Sequence, residues 1–143
     1  MKKCYRPAIL AVLLILSAGC ASNPDPIKIP KDAAEMTVDF SWQGVDACTH
    51  DSPEIRVSAI PEGTADLRVR LKNISVPEWN HGGGKVAHDG SGVISAGALK
   101  LGYNGPCPPP KQRHKYEFSV LAVDADGAII GFGKARQSFP PKQ

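Results

Sequence analysis

The sequence has few aromatic residues, no large excess of one charge, and no apolar run long enough to stay in a bilayer as a helix. Aromatic residues make up 6% of the 143 residues, and 17 basic residues are balanced against 14 acidic ones. Three of the basic residues lie within residues 1–19, so the rest of the chain carries 14 basic and 14 acidic residues. This balance argues against a general nucleic-acid binder, which needs a basic surface to displace counterions from phosphates. The length allows one domain and excludes two full ones.

The N-terminus has the pattern of an export signal. Lys2 and Lys3 supply a positive end, residues 8–16 are apolar, and small residues precede Cys20. This pattern predicts a signal peptide over residues 1–19. The run Leu16-Ser17-Ala18-Gly19-Cys20 resembles the bacterial lipobox, which implies cleavage before Cys20 and acylation of its thiol. The alternative is an ordinary secretory signal followed by an incidental cysteine.

The resemblance to a lipobox implies a place for the protein in the cell. An acylated Cys20 would hold it to a membrane while the folded part stays in water. Ala21 and Ser22 follow the cysteine, which by resemblance to enteric sorting favours the outer membrane. The predicted location is the bacterial cell envelope, lipid-anchored and facing the periplasm. Residues 20–35 contain Pro24, Pro26 and Pro30 and predict a tether, and residues 36–143 form the predicted domain.

Two of the four cysteines are free to form a bridge in the mature domain. Cys4 leaves with the signal and Cys20 carries the lipid, which leaves Cys48 and Cys107 in an oxidising compartment. We expect a disulfide between them. The alternative is two separately buried cysteines, because the sequence alone does not fix the distance between their Cα atoms.

Alternation of apolar and polar residues predicts strands in five segments. These segments are residues 36–42, 55–59, 67–72, 116–123 and 128–132. Asp-Gly at Asp126-Gly127 suits the positive φ of a tight hairpin between the last two. Residues 79–110 are rich in glycine and proline and contain only short strand-like pieces at 93–95 and 99–101. No helical apolar stripe exceeds two turns, so the predicted fold class is all-β, a single antiparallel β-sandwich with little helix.

The most specific segment is Gly105-Pro106-Cys107-Pro108-Pro109, followed by His114-Lys115-Tyr116 and a strand that ends in Ala122-Val123-Asp124. It resembles the phosphatidylethanolamine-binding protein family, also called the Raf-kinase-inhibitor-like family. Upstream, Cys48, Ser52-Pro53 and Pro61-Glu62-Gly63-Thr64 resemble further landmarks of that family in the same order. The resemblance covers about residues 39–133. It implies the family's β-sandwich, a binding or inhibitory role, and an anion-sized pocket at His114 and Tyr116.

The departures from the family pattern concern its acidic residues. The family has Asp-Pro-Asp-x-Pro where this chain reads Asn73-Ile74-Ser75-Val76-Pro77, so neither aspartate is present. The family's His-Trp pair is also missing, and Trp79-Asn80-His81 leads instead into three glycines. The transfer of a site role is therefore direct for His114 and Tyr116, indirect for His81, and unjustified for the acidic pair.

The candidate site is an anion-binding site made of His81, Gly82, Gly83, Gly84, His114 and Tyr116. Consecutive glycines can turn their N–H groups into one concave nest, and imidazole and phenol groups can add hydrogen bonds to phosphate, sulfate or a carboxylate. The alternative is a flexible glycine loop beside a histidine that caps a strand.

The sequence offers little support for chemistry of other kinds. His50, His81, His88 and His114 lack the close spacing that is common in preformed metal sites, so we expect no metal and no cofactor. A Gly-x-Ser-x-Gly elbow is absent, and we expect no catalytic residues and no enzyme activity. Two functions remain. One is a binding protein for a small anionic ligand or phosphorylated group, and the other is an envelope interaction or inhibitor module that touches a protein partner through Trp79 and Pro108–Pro110 and has a vestigial pocket.

Overall fold

The computed structural model describes residues 27–99 and 102–142. The predicted signal peptide, the predicted acylation site Cys20 and the first part of the predicted tether lie outside these residues. Nowhere in the described residues is there a helix long and apolar enough to cross a membrane.

Eight described strands form two sheets that share one core. They are β1 (Ala34–Glu35), β2 (Thr37–Phe40), β3 (Ile55–Ser58), β4 (Asp66–Asn73), β5 (Asn80–Ala87), β6 (Val93–Ile94), β7 (His114–Val123) and β8 (Ile129–Phe139). The larger sheet has the order β1-β8-β7-β4-β5, and the smaller sheet has the order β2-β3-β6. Neighbouring strands are antiparallel except β1 and β8, which form a short parallel pair.

Strand β4 shows how the sequence produces this arrangement. Leu67, Val69 and Leu71 are buried, and basic residues occupy the positions between them. Because successive side chains of a strand point to opposite faces, the apolar set enters the core and the basic set covers the outer face of the larger sheet. Strand β4 pairs with β7 over eight residues, from Asp66 opposite Val123 to Asn73 opposite Tyr116.

The few aromatic residues are concentrated where the sheets meet. The ring of Phe40 meets those of Trp42 and Phe118 edge-on, with centroids 4.9 Å apart in both pairs. Trp42 also packs edge-on against Phe139 from β8. Edge-to-face pairs of this kind add to the free energy gained by burying the rings. A chain with little aromatic content thus uses most of it to join the two layers.

The predicted all-β class is confirmed, and so are the strands at 36–42, 55–59, 67–72 and 116–123, within a few residues at their ends. The last predicted strand is too short, since β8 continues to Phe139. The β7–β8 hairpin is present, with Gly127 at a φ of 87°. Residues 96–99 form turns, so the strand piece predicted to start at Leu99 is not a strand there.

The principal difference from the predicted strands is β5, which lies within the glycine- and proline-rich segment 79–110. Its glycines hide the apolar alternation, because they contribute no side chain to either face. Strand β5 instead takes its place from the hydrogen-bonded pairing with β4 and from its contact with the segment around Tyr103.

Cys48 and Cys107 are joined by a disulfide, as expected, with their Cα atoms 4.5 Å apart. The bond lies beside a hydrogen bond from the Cys48 N–H to the Pro106 carbonyl, of length 2.8 Å. The two cysteines are 59 positions apart in the chain. Closing a loop of that size lowers the entropy of the unfolded chain considerably.

We expect the double variant Cys48→Ser with Cys107→Ser to lose about 4 kcal/mol of unfolding free energy relative to the oxidised parent. Urea unfolding followed by circular dichroism measures this loss. Reductant should lower the urea midpoint of the parent and leave that of the double variant unchanged. An unchanged parent midpoint under reductant would show that the bridge contributes little to stability.

Candidate functional site

The predicted polar residues meet at one end of the larger sheet. Asn73 ends β4 directly opposite Tyr116 of β7, and His114 begins β7 two residues earlier. His81 is the second residue of β5, the strand on the other side of β4. The imidazole of His81 lies edge-on to the Tyr116 ring, with centroids 5.3 Å apart, and the His114 ring lies 6.4 Å from it. We call Asn73, His81, His114 and Tyr116 the Tyr116 cluster.

His81 is only 5% exposed. The backbone carbonyl groups of Asn104 and Gly105 determine which of its ring nitrogens carries a proton. Its Nδ1 lies 2.9 Å from the Asn104 carbonyl oxygen and 3.1 Å from that of Gly105. Carbonyl oxygens only accept hydrogen bonds, so Nδ1 is the protonated nitrogen. In the neutral ring Nε2 is then an acceptor, and in the charged ring it is a donor. No protein hydrogen bond to Nε2 occurs within the described part of the chain.

Asn73, which is 4% exposed, holds the cluster together. Its Oδ1 accepts hydrogen bonds from the N–H groups of Ser75 and Val76, at 3.0 and 3.1 Å. This leaves Nδ2 as the donor to His114 Nδ1, at 3.1 Å, and to the Tyr116 hydroxyl, at 3.5 Å. His114 consequently carries its proton on Nε2, which lies 3.1 Å from Gln112 Oε1. The Asn73 amide thus determines the tautomer of His114 and links this ring to the Tyr116 hydroxyl.

The Tyr116 phenol is the buried centre of the cluster. Burial raises the pKa of Tyr116, and a hydrogen bond from the Cys107 backbone N–H opposes that rise. The phenol therefore stays protonated at neutral pH and can donate a hydrogen bond. An anion within reach would be a suitable acceptor.

The N–H groups of two glycines in the predicted nest are already hydrogen-bonded within the protein. Gly82 and Gly83 lie in β5, where their N–H groups already donate to Asn80 Oδ1 and to the Gly102 carbonyl, at 2.9 and 3.2 Å. The glycines are needed for space instead. A Cβ on Gly82 would lie 1.5 Å from the Gly102 carbonyl oxygen, and one on Gly83 would lie 1.9 Å from that of Val69. Gly82 allows the segment at Gly102 to pass close to β5, and Gly83 allows the close approach of Val69 on β4.

Two open grooves lie elsewhere on the surface. One, of about 870 Å³, is lined by the outer face of the larger sheet, and the other, of about 480 Å³, follows residues 39–56. Neither is lined by a member of the Tyr116 cluster, which reaches the surface through the partly exposed His114. Among the described residues, no group of three histidine, cysteine, aspartate or glutamate side chains is placed to hold a metal ion.

Sequence reasoning missed four contributors to the cluster. Asn73 was noted only as the place of a lost aspartate, although the amide supplies both the donors and the acceptor that organise the site. Gln112 and the backbone carbonyls of Asn104 and Gly105 were not identified either. The position of Asn73 in the family motif was a usable signal, whereas backbone carbonyls carry no sequence signal.

No protein-family model and no curated protein matches the chain. Solved structures do. A protein of Chlamydia trachomatis described as a phosphatidylethanolamine-binding protein homologue superposes with a TM-score of 0.56 and 18% identity, over 78% of this chain and 100% of that one. Escherichia coli YbcL, described as a member of the mammalian phosphatidylethanolamine-binding protein family, gives a TM-score of 0.55 and 17% identity, over 76% of this chain and 100% of that one.

These similarities place the described domain among two-sheet, all-β proteins of one architecture. Its fold is that of the phosphatidylethanolamine-binding proteins. The relationship predicted from residues 39–133 is thereby supported at the level of the fold.

The close approach at Gly82 can be tested against a glycine in open space. Gly82 and Gly127 both have positive φ, 65° and 87°, but nothing lies within 4 Å of a Cβ on Gly127. We expect Gly127→Ala to lower the free energy of unfolding by about 1 kcal/mol through backbone strain alone. Gly82→Ala should lower it by more than about 3 kcal/mol, because the backbone around Gly102 must also move. Urea unfolding compares the two. Equal losses would contradict the contact.

Tyr103 and Tyr116 should make the protein alkali-sensitive. Burial raises the pKa of both phenols, so above about pH 10 the unfolded chain releases protons that the folded one keeps. The contribution of the two protonated phenols to the free energy of unfolding is therefore fully present below pH 10 and falls as the pH rises further. The Tyr103 hydroxyl has no partner in the described structure, so Tyr103→Phe should cost nothing at neutral pH and reduce the alkaline loss.

Tyr116→Phe is the matched comparison, because the Tyr116 hydroxyl is hydrogen-bonded. We expect it to cost about 1 kcal/mol at neutral pH and likewise to reduce the alkaline loss. Thermal unfolding between neutral and alkaline pH measures both variants. An alkaline loss that neither variant reduces would show that other groups cause it.

Proposed function

We propose that the chain is an envelope-anchored, non-enzymatic binding protein whose Tyr116 cluster takes a small anionic group, either a phosphate or a phospholipid headgroup. The observation that supports this most is the convergence of His81 and His114 on one buried phenol, with an amide at Asn73. No carboxylate hydrogen-bonds to these four side chains within the described residues. A site with donors and no negative charge favours an anion over a cation.

Each donor of the cluster can contribute a hydrogen bond to an anion. The Tyr116 O–H can donate directly, and a protonated His81 can add a charge-assisted bond from Nε2, because its Nδ1 is held by carbonyl groups. His114 Nε2–H lies on the exposed side and can exchange Gln112 for a ligand oxygen. The fold adds general support, because proteins of the same fold are described as phosphatidylethanolamine-binding proteins or their homologues. The anchoring at Cys20 rests on the lipobox resemblance.

The test is a titration of the chain with phosphate and with phosphoethanolamine, followed by NMR signals of the imidazole nitrogens. We expect saturable shifts of His81 Nε2 and His114 Nε2. His114→Gln should weaken the Kd about tenfold by removing the exposed donor. His88→Gln is the matched control, since His88 lies beyond the far end of β5, roughly 23 Å along the strand from His81.

Two results would overturn the binding proposal. One is a flat titration with the fold intact, and the other is an equal loss of affinity in His114→Gln and His88→Gln. If phosphoethanolamine binds and phosphate does not, the ligand is a lipid headgroup. Similar affinities for both would identify the phosphoryl group as the recognised part.

A second function is favoured by one feature of the cluster. Both nitrogens of His114, Nδ1 of His81 and the Asn73 amide are already hydrogen-bonded within the protein, as expected of a closed, vestigial pocket. The chain would then be an interaction or inhibitor module, with Trp79 and the exposed part of Pro108–Pro110 as contacts. A flat titration favours this function.

A further inference from the structure

The outer face of the larger sheet is strongly basic. Arg68, Arg70 and Lys72 alternate with core residues along β4 and therefore face away from the core. The neighbouring strands add basic residues in register with this row, namely Lys85 opposite Arg68 on β5, and Lys134 and Arg136 opposite Ser119 and Glu117 of β7. We call the side chains of this surface the basic face.

Three acidic residues, Asp66, Glu78 and Glu117, lie at the basic face, against its six basic residues. Asp66 pairs with Lys85 at 2.8 Å, and Glu117 pairs with Arg136. Arg68, Arg70, Lys72 and Lys134 have no ion pair within the described residues. Unpaired guanidinium and ammonium groups in one plane attract an anionic surface.

The opposite side of the molecule carries the compensating charge. The smaller groove, on the outer side of the other sheet, is lined by Asp39, Asp46, Asp51 and Glu54, with Arg56 as its one basic residue. Since the chain beyond residue 19 carries equal numbers of basic and acidic residues, the domain is close to neutral but polarised. Such a domain turns one particular side toward a charged surface.

The basic face also has an apolar border suited to a lipid interface. Trp79 is 70% exposed and Ile27 is 48% exposed, and these are the large apolar side chains that the described structure leaves most open. Both line the groove of about 870 Å³ on this face, together with Ile29 and Phe132. Tryptophan is favoured at the boundary between headgroups and acyl chains.

The described end of the tether lies on this same face. Ile27 and Ile29 lie in the groove, and β1 then joins the edge of the larger sheet at β8. Only seven residues lead from Cys20 to Ile27, so a chain anchored at Cys20 holds Ile27 within about 25 Å of the bilayer. The tether therefore meets the domain at the basic face and not on the acidic side.

We propose that the basic face, with Trp79 at its border, docks on the anionic phospholipid surface of the membrane that carries the anchor. This surface is distinct from the Tyr116 cluster, and its orientation rests on the proposed acylation of Cys20. Docking places the acidic side away from the membrane. Attraction of this kind acts over about a Debye length, roughly 8 Å at physiological salt, and is weakened by added salt.

The test uses the anchored full chain in phosphatidylcholine vesicles, with and without phosphatidylglycerol, containing a lipid that bears a nitroxide near its headgroup. We expect the fluorescence of Trp79 to be quenched only when phosphatidylglycerol is present, and the quenching to be lost at high salt. Trp42 is buried in the core, and Trp79→Phe defines its unquenched background.

Two double variants separate this face from charge in general. Arg68→Gln with Lys134→Gln should remove most of the quenching, whereas Lys111→Gln with Lys142→Gln, both exposed and outside the sheet, should leave it unchanged. Circular dichroism verifies that each variant is folded. An equal effect of the two double variants, or equal quenching in both vesicle types, would overturn the proposal.

A third outcome would assign the face to an acidic protein. Polyglutamate that binds the chain through Arg68 and Lys134, without quenching on phosphatidylglycerol, would overturn membrane docking in favour of such a partner. The mass of the N-terminal fragment reports acylation of Cys20 separately. Phosphate titration of the Tyr116 cluster is unaffected by either result, so the two proposals fail independently.

Discussion

The antiparallel pairing of β4 with β7 is the constraint on which the rest of the structure depends. Its register, Asp66 opposite Val123 through Asn73 opposite Tyr116, decides three things together. It sends the leucines and valine of β4 into the core, it sends the basic residues of β4 to the opposite face, and it brings the last residue of β4 against the phenol of β7. A shift of β4 by one residue would turn its leucines and valine out of the core and its basic residues into it, because side chains alternate along a strand. The same shift would move Asn73 away from Tyr116.

The cluster at the end of this ladder is organised around the Asn73 amide, at the position where the motif that residues 73–77 resemble has an aspartate. An amide supplies an acceptor and two donors without charge. Asn73 uses the acceptor to hold the turn that follows β4 and the donors to hold His114 and Tyr116. The exchange makes the cluster self-sufficient in the absence of a ligand. It also removes the negative charge that would repel an anion.

The sequence predicted strands where apolar and polar side chains alternate. It did not predict contacts that are made by backbone atoms. Alternation located β4 and β7, and the His114-Lys115-Tyr116 motif contains two residues of the Tyr116 cluster. Strand β5 was missed because Gly82, Gly83 and Gly84 carry no side chains to alternate. The close approach of the Gly102 carbonyl to Gly82 and of the Val69 carbonyl to Gly83 also carries no signal in the sequence. The carbonyl groups that fix the His81 tautomer belong to Asn104 and Gly105, whose side chains take no part.

The disulfide has a consequence for cleavage by proteases. Between Cys48 and Cys107 lie β3, β4, β5 and β6, whereas β1, β2, β7 and β8 lie outside that segment. Each sheet interleaves the two sets, since β3 pairs with β2 and β4 pairs with β7. A single cut in an exposed loop between the cysteines would therefore leave both fragments covalently joined and both sheets complete. The protein could be nicked and still keep its core, its basic face and the Tyr116 cluster as one particle.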